Sequence, residues 1–287
     1  MISIHDYLNE VSNKEKKIKI LVVQGSPRTK DSCSGGDSKT EYLMKEAIKS
    51  LDKNVDVDVL NLSLTDEEPK VQPCKGCVGT ANGFQCHWPC SCYGKDDKVC
   101  PDLMHNENVY DRIKKADGFA IYTPVHWYAV SSQVKAMFDR LVCANLTLTV
   151  EAAKAITKDD IKNPKKNIEL EKSGEFSALR KNHLEGKIGA FFIHGNDGAD
   201  DYKGRKYPLA MADTKHYITP KEAVMPIVLQ CRYSGIFVPD HLIESVVFGH
   251  NEPYSTSNEK IHSNKDVINS SVNLLKNLVK EIRKNGF

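Results

Sequence analysis

The chain has 287 residues, 40 Lys and Arg against 38 Asp and Glu for a formal net charge of +2, and nine cysteines. That length suits one large α/β domain or two small ones. The balanced charge argues against nucleic acid as the main partner, and no apolar run reaches membrane-spanning length.

Residues 1–17 read as a polar arm without the apolar core of a signal peptide, so a cytoplasmic protein is expected. In that reducing compartment nine cysteines read as thiols or metal ligands rather than structural disulfides. Ile18-Lys19-Ile20-Leu21-Val22-Val23 is the first strand, ending in Gln24-Gly25-Ser26-Pro27-Arg28. A loop rich in Ser, Gly and Asp runs to Lys39. A helix with Leu43, Ala47, Ile48 and Leu51 on one side follows, with Ser38 or Thr40 as its N-cap. Such a loop offers unpaired N–H groups and a positive helix end to a phosphate. The Ser26, Ser38 and Thr40 hydroxyls and the Arg28 guanidinium can join them. The pattern is neither a Walker loop nor the three-glycine dinucleotide fingerprint.

Val55–Leu60 alternates apolar and acidic residues, as an edge strand with one wet face does. A helical pattern returns at about Asn108–Lys115. The stretch between, 61–107, is long for a connection and holds most of the cysteines, which marks a functional loop or an insertion. Gly118–Tyr122 is a short apolar run fit for a buried strand. Thr123-Pro124-Val125-His126-Trp127-Tyr128 is a turn rich in aromatic groups. From about Ser131 the period is helical, with Val130, Val134, Met137, Phe138 and Leu141 on one face and Lys135 and Asp139 spaced to pair. Strand, aromatic loop and helix place a flat ligand at the carboxyl end of a parallel sheet.

After Leu141 comes a polar excursion at about 151–186. Lys187–Ile193 is the next strand and ends in a His194-Gly195 loop. Residues 221–233 fit a helix in which Pro226 is expected to mark a break or a start. Glu244–Phe248 is the last strand, and Ile268, Val272, Leu275, Val279 and Ile282 form the stripe of a final helix. Strands alternating with helices imply an α/β fold, a parallel sheet covered on both faces. Five strands match the order 2-1-3-4-5, whose switch point lies between the first and third. The loops Gly25–Thr40 and Thr123–Tyr128 then meet in one crevice.

Gly25-Ser26-Pro27-Arg28, Thr123-Pro124-Val125-His126-Trp127 with Ser131-Ser132-Gln133-Val134-Lys135-Ala136-Met137-Phe138-Asp139-Arg140, and the His194-Gly195 loop resemble the NADPH-dependent FMN reductase family of flavodoxin-like proteins. The resemblance covers roughly 18–60 and 100–250. It implies a single flavodoxin-like three-layer sandwich over 1–287, with a Cys-rich insertion at about 74–100. It also implies that Ser26, Arg28, Ser38 and Thr40 hold the FMN phosphate. Thr123, Pro124, Val125, His126 and Trp127 would lie along the flavin, and Gly195 would close its far side. The first loop is longer than is usual, with Asp31–Asp37 inserted, and Ser38 is preferred over Ser32 as phosphate ligand. His126 stands where such proteins more often carry an aromatic ring.

Cys74, Cys77, Cys86, Cys90, Cys92 and Cys100 fall within 27 residues. Three readings compete. Cys74-Lys75-Gly76-Cys77 resembles a metal-free Cys-x-Gly-Cys turn found in this family. The related iron–sulfur flavoproteins hold a cluster through closely spaced cysteines in this region, and thiolates suit iron–sulfur or zinc. Cys74/Cys77 or Cys90/Cys92 can also cycle as a thiol pair. Cys143 and Cys231, lying apart, are expected to be core or interface thiols.

The resemblance implies an enzyme passing a hydride from NAD(P)H through FMN to a small acceptor: a flavin, quinone, nitro or azo compound, or ferric iron. A homodimer or higher oligomer is the implied state, and no side chain is assigned as catalytic acid or base. The alternatives are an electron carrier, either flavodoxin-like or an iron–sulfur flavoprotein, and a zinc-bearing binding protein without turnover.

Overall fold

Five parallel strands form one sheet: β1 (Ile18–Gln24), β2 (Val55–Asn61), β3 (Gly118–Pro124), β4 (Ile188–Gly195) and β5 (Ile243–Val247). Their spatial order is β2-β1-β3-β4-β5, the flavodoxin-like order expected from the sequence. The computed structural model describes residues 17–32, 35–64, 69–76, 93–95, 98–99, 102–141, 184–195, 220–248 and 254–286. Six helices flank the sheet among these residues: α1 (Lys39–Lys49), α2 (Val109–Lys115), α3 (Ser132–Leu141), α4 (Pro220–Tyr233), α5 (Tyr254–Ile261) and α6 (Lys265–Lys284).

The strands are continuous apolar runs because both of their faces are covered. Along β1, Ile18, Ile20 and Val22 point into a core shared with α1 and α6. Leu21 and Val23 point into the opposite core, with α2, α3 and α4. Strand β3 alternates likewise, Ala120 and Tyr122 toward α1 and α6, Phe119 and Ile121 toward the other layer. The three layers are therefore helix, sheet, helix. The two edge strands depart from this: Asp56 and Asp58 of β2 are exposed, and β5, Ile-Glu-Ser-Val-Val, is fully buried only at Ile243.

Helix boundaries follow local chemistry. Ser38, not Thr40, is the N-cap of α1, its Oγ accepting from the Glu41 N–H at 3.3 Å. Lys135 and Asp139 pair on α3 as their spacing predicts. Pro226 neither breaks nor begins α4, contrary to expectation: the helix runs from Pro220 to Tyr233 with Pro226 inside it. Pro226 faces solvent, where water can serve the freed carbonyl. Ala223, Val224, Ile227, Val228 and Cys231 pack the opposite side into the core, so burial on both sides of the proline outweighs its local penalty. The last strand begins one residue earlier than expected, at Ile243. Between β2 and α2 a short hairpin (Gly94–Lys95 with Lys98–Val99) and a π-helical turn (Asp102–Asn106) precede the helix expected first there.

Cys231 is a buried thiol in the α4 core, and burial pushes its pKa up. Cys143 lies outside the described residues, as does the 151–186 excursion except for 184–186. Among the described residues no helix is long and apolar enough to cross a membrane.

Candidate functional site

The carboxyl ends of β1, β3 and β4 are fastened to one another, through the loops after β1 and β3. Gly25, the first residue past β1, donates its N–H to the Tyr122 carbonyl at 2.7 Å. A Cβ there would strike a Val134 methyl and stand 3.0 Å from that carbonyl oxygen, so glycine is required where α3 passes. The buried Ser131 hydroxyl donates to the Gly25 carbonyl and, as acceptor, meets the Val134 N–H at the start of α3. Val125 donates to the His194 carbonyl at 2.7 Å, joining the β3 loop to β4. The ends of these three strands are thus tied together.

They enclose a cleft of about 600 Å³. From the β1 side it is lined by Ser26, Pro27, Arg28, Ser32, Ser38, Lys39 and Thr40; from the others by Pro124, Val125, His126, His194 and Gly195; Leu64 and Phe248 complete it. Eight of the residues expected from the sequence therefore share one cleft: Ser26, Arg28, Ser38, Thr40, Pro124, Val125, His126 and Gly195. Ser32 and Ser38 both reach it. Thr123 is fully buried behind the wall, its hydroxyl donating to the Pro124 carbonyl at 3.1 Å. Trp127 stands outside the lining and is 84% exposed.

Arg28 is oriented by its own loop. Its backbone N–H donates to Ser26 Oγ at 3.3 Å and its Nη2 to the Gly35 carbonyl at 2.5 Å. Gly35 and Gly36 both have positive φ, so the inserted part of the loop turns back toward the arginine. At the β3 end, His126 and Ala129 exchange backbone hydrogen bonds across Trp127 and Tyr128. Those two residues have φ of 49° and 63°, the two positive angles of a type I′ turn. Asn-Gly favours that turn; two bulky aromatics in it store backbone strain at the rim of the cleft.

Three residues that sequence reasoning left without a role complete the site. Lys39, the first helical residue of α1, is buried, and its ammonium donates to Ser257 Oγ of α5. Its Nζ lies 5.5 Å from the centre of the Phe248 ring. His194 Nε2 and Thr40 Oγ1 share one hydrogen bond of 2.7 Å, and the imidazole sits 5.2 Å from Phe248, centre to centre. Burial, and then the nearby Lys39 charge, hold the His194 pKa down at about 3, so the ring is neutral at physiological pH. A lysine between Ser38 and Thr40 reads in sequence as a solvated surface cation, and nothing in the sequence places Ser257 or Phe248 beside it.

A second cluster lies at the entrance to the Cys-rich stretch. Arg140 of α3 is fully buried and pairs with Asp102. Its Nη1 also donates to the Gln72 carbonyl at 3.2 Å, and the Gln72 N–H donates to Asp102 Oδ2 at 2.8 Å. The guanidinium stacks on Tyr93 at 4.6 Å, and the Tyr93 hydroxyl donates to the Pro73 carbonyl at 2.6 Å. Pro73 and Tyr93 flank Cys74 and Cys92 in the chain, so the two ends of this stretch are clamped together. Cys74 is an exposed free thiol whose Sγ accepts from the Gly76 N–H at 3.4 Å, Gly76 having a positive φ. Cys77, Cys86, Cys90, Cys92 and Cys100 lie outside the described residues.

Residues 18–157, just under half of the chain, match the NADPH-dependent FMN reductase family. Curated relatives include an iron–sulfur flavoprotein of Methanocaldococcus jannaschii, 27% identical over 43% of this chain and 51% of its own. One of Methanosarcina thermophila is 29% identical over 44% and 53%, and one of Archaeoglobus fulgidus 30% identical over 42% and 49%. The chain thus spans about half the length of the curated relatives it matches. Among solved structures, an azoreductase from Bacillus anthracis aligns with 93% of this chain and 99% of its own at 14% identity, with a TM-score of 0.45. At that distance it bears on neither activity nor substrate. By sequence match, residues 18–157 are similar to the NADPH-dependent FMN reductase family, and somewhat over two fifths of the chain is similar to iron–sulfur flavoproteins.

Proposed function

We propose that the cleft holds FMN and that the protein is an FMN-dependent oxidoreductase. It would pass a hydride from NAD(P)H to a small acceptor such as a flavin, a quinone, a nitro or azo compound, or ferric iron. The observation that carries this reading is the convergence of the loops after β1 and β3 and the end of β4 on one cleft of about 600 Å³. That volume suits a cofactor-sized ligand.

The donor set fits a phosphate monoester. Ser26, Arg28 and Ser38 bring hydroxyls and a guanidinium to the amino end of α1, where backbone N–H groups and the helix dipole favour an anion. Pro124, Val125 and Gly195 bring flat, weakly polar surface from the other loops. A Cβ on Gly195 would stand 3.0 Å from two Val125 carbons, so its absence keeps the wall thin. FMN, when bound, supplies hydride acceptance and donation at its ring. The chain's groups hold and orient it, and the fastened loops keep the two walls at a fixed spacing. The neutral His194, bonded to Thr40, positions that hydroxyl.

A second reading is electron transfer through a cluster held by the Cys-rich stretch. Two observations favour it: three relatives are named iron–sulfur flavoproteins, and the Arg140 clamp brings the ends of that stretch together. A visible spectrum of anaerobically purified protein separates the readings. Two flavin bands alone, with NAD(P)H oxidation when an acceptor is added, support the reductase. A further broad absorbance that bleaches on reduction supports the carrier; zinc by metal analysis supports a zinc-bearing loop. Arg28→Ala is expected to weaken FMN binding by about 1.5–3 kcal/mol, the worth of a charge-assisted phosphate contact. Colourless protein that takes up no added FMN sinks the proposal.

A further inference from the structure

We infer that Phe248, backed by helix α5, closes one end of the cleft and restricts it to a flavin mononucleotide, so that FAD is excluded. The inference rests on the proposed flavin site and names a specificity-determining residue within it.

The two ends of the cleft differ in exposure. At the aromatic rim Trp127 is 84% exposed and Tyr128 45%. At the amino end of α1, Ser26, Ser38 and Thr40 are 4%, 3% and 1% exposed. A flat ring with a phosphate on a side arm would therefore lodge its phosphate in the enclosed end and keep its ring toward the open rim. A phosphate monoester stops there and needs no exit. In FAD the same phosphate continues through a pyrophosphate into AMP, which would have to leave past the residues that enclose that end.

Phe248 is one of those residues. It follows β5 directly, and its N–H donates to the Gly195 carbonyl at 3.2 Å, which ties it to the end of β4. Its ring lines the cleft 5.2 Å from the His194 imidazole, inclined at 30°, and 5.5 Å from Lys39 Nζ. It therefore stands between the first residue of α1 and the end of β4. The Lys39 ammonium donates to the buried Ser257 of α5, so α5 is joined to α1 at the same place. Just past α5, His262 packs edge-on against Tyr42 of α1 at 4.2 Å. The buried Ser271 hydroxyl of α6 donates to the Leu43 carbonyl of α1 at 2.8 Å. These contacts fix the C-terminal helices on α1 and keep the wall from swinging away. Phe248 and Ser257 both lie beyond residues 18–157, so the wall is built outside the family-matched segment. It acts by steric clash with the wrong ligand rather than by added attraction to the right one.

FMN and FAD share the ring, the ribityl chain and the first phosphate, so the pair isolates the effect of the wall. The test titrates the full-length protein with each flavin for wild type, Phe248→Ala and Phe248→Val, separating bound from free flavin by ultrafiltration. Wild type is expected to bind FMN roughly a hundredfold more tightly than FAD, as forcing a bulky group against a packed wall implies. Phe248→Ala should cut that ratio about tenfold or more, chiefly by strengthening FAD. Phe248→Val, which keeps an apolar side chain against the core, gives the same reading if the alanine variant does not fold. If wild type binds FAD as tightly as FMN, or if removing the ring leaves the FMN-to-FAD ratio unchanged, the Phe248 assignment falls and the flavin site stands. If wild type binds neither flavin, the site reading falls and the assignment with it.

Discussion

Arg140 and Lys39 are both buried cations, and they lie in opposite kinds of surroundings. Arg140 is fully enclosed: a carboxylate, a backbone carbonyl and an aromatic face from the protein meet it. Lys39 stands in the wall of a cleft, its ammonium donating to the Ser257 hydroxyl of α5 and lying over the Phe248 ring. The first arrangement joins the Cys-bearing stretch to α3 and serves the fold. The second lies in the lining of a cleft and joins α1 to α5. The contrast shows that burial of a charge does not by itself identify a functional residue; what it faces does.

The comparison breaks most visibly at the enclosed pair. Asp102→Asn leaves the Arg140 guanidinium buried without its carboxylate and is expected to cost about 3–5 kcal/mol in urea unfolding. Replacing both partners, as Asp102→Leu with Arg140→Met, should recover much of that loss, because the desolvated charge is gone. The same Asp102→Asn protein should retain its FMN-to-FAD ratio. A loss below about 1 kcal/mol would mean that water reaches Arg140 and that the clamp contributes little.

The next effect in size is a pH dependence at the cleft. His194 has a folded-state pKa of about 3 against an ordinary 6.5, lowered by burial and by Lys39. The unfolded chain therefore binds a proton that the folded chain refuses between those values. Stability is full above pH 6.5 and falls as pH drops through that window, with a slope approaching about 1.4 kcal/mol per unit from this group alone. His194→Gln, which has no such proton to take up, should be less stable than wild type at pH 7.5 and close the gap by pH 5. Parallel stability curves for the two proteins would show that the imidazole is already solvated in the native state.

Which parts were legible in the sequence follows from how local their causes are. The central strands could be read because burial on both faces leaves unbroken apolar runs such as Ile20–Val23. The cleft could be placed because two of its loops, Gly25–Thr40 and Thr123–Tyr128, follow those strands directly and carry their ligand-type residues in order. Helix α5, Tyr-Ser-Thr-Ser-Asn-Glu-Lys-Ile, could not be read: it has almost no apolar periodicity and is held by contacts to α1 such as Lys39 with Ser257. Pro226 misled because a solvent-facing proline is tolerated when the helix buries residues on both sides of it. The Arg140 clamp could not be read because its partners, Gln72, Tyr93 and Asp102, are brought together only by the fold.

The smallest expected effect concerns the rim. Trp127 exposes most of its ring while its backbone holds a positive φ, a conformation Asn adopts far more readily than Trp. Trp127→Asn should therefore stabilise the flavin-free protein by up to about 1 kcal/mol, since little burial is lost and turn strain is relieved. If the exposed ring contacts bound flavin, the same substitution should shift the flavin absorbance bands and slow reduction by NAD(P)H. A gain in stability together with a loss of flavin contact would mean that the strained turn is retained for the ligand. A more stable variant with wild-type spectrum and reduction rate would remove Trp127 from the site and leave flavin contact to Pro124, Val125 and His126.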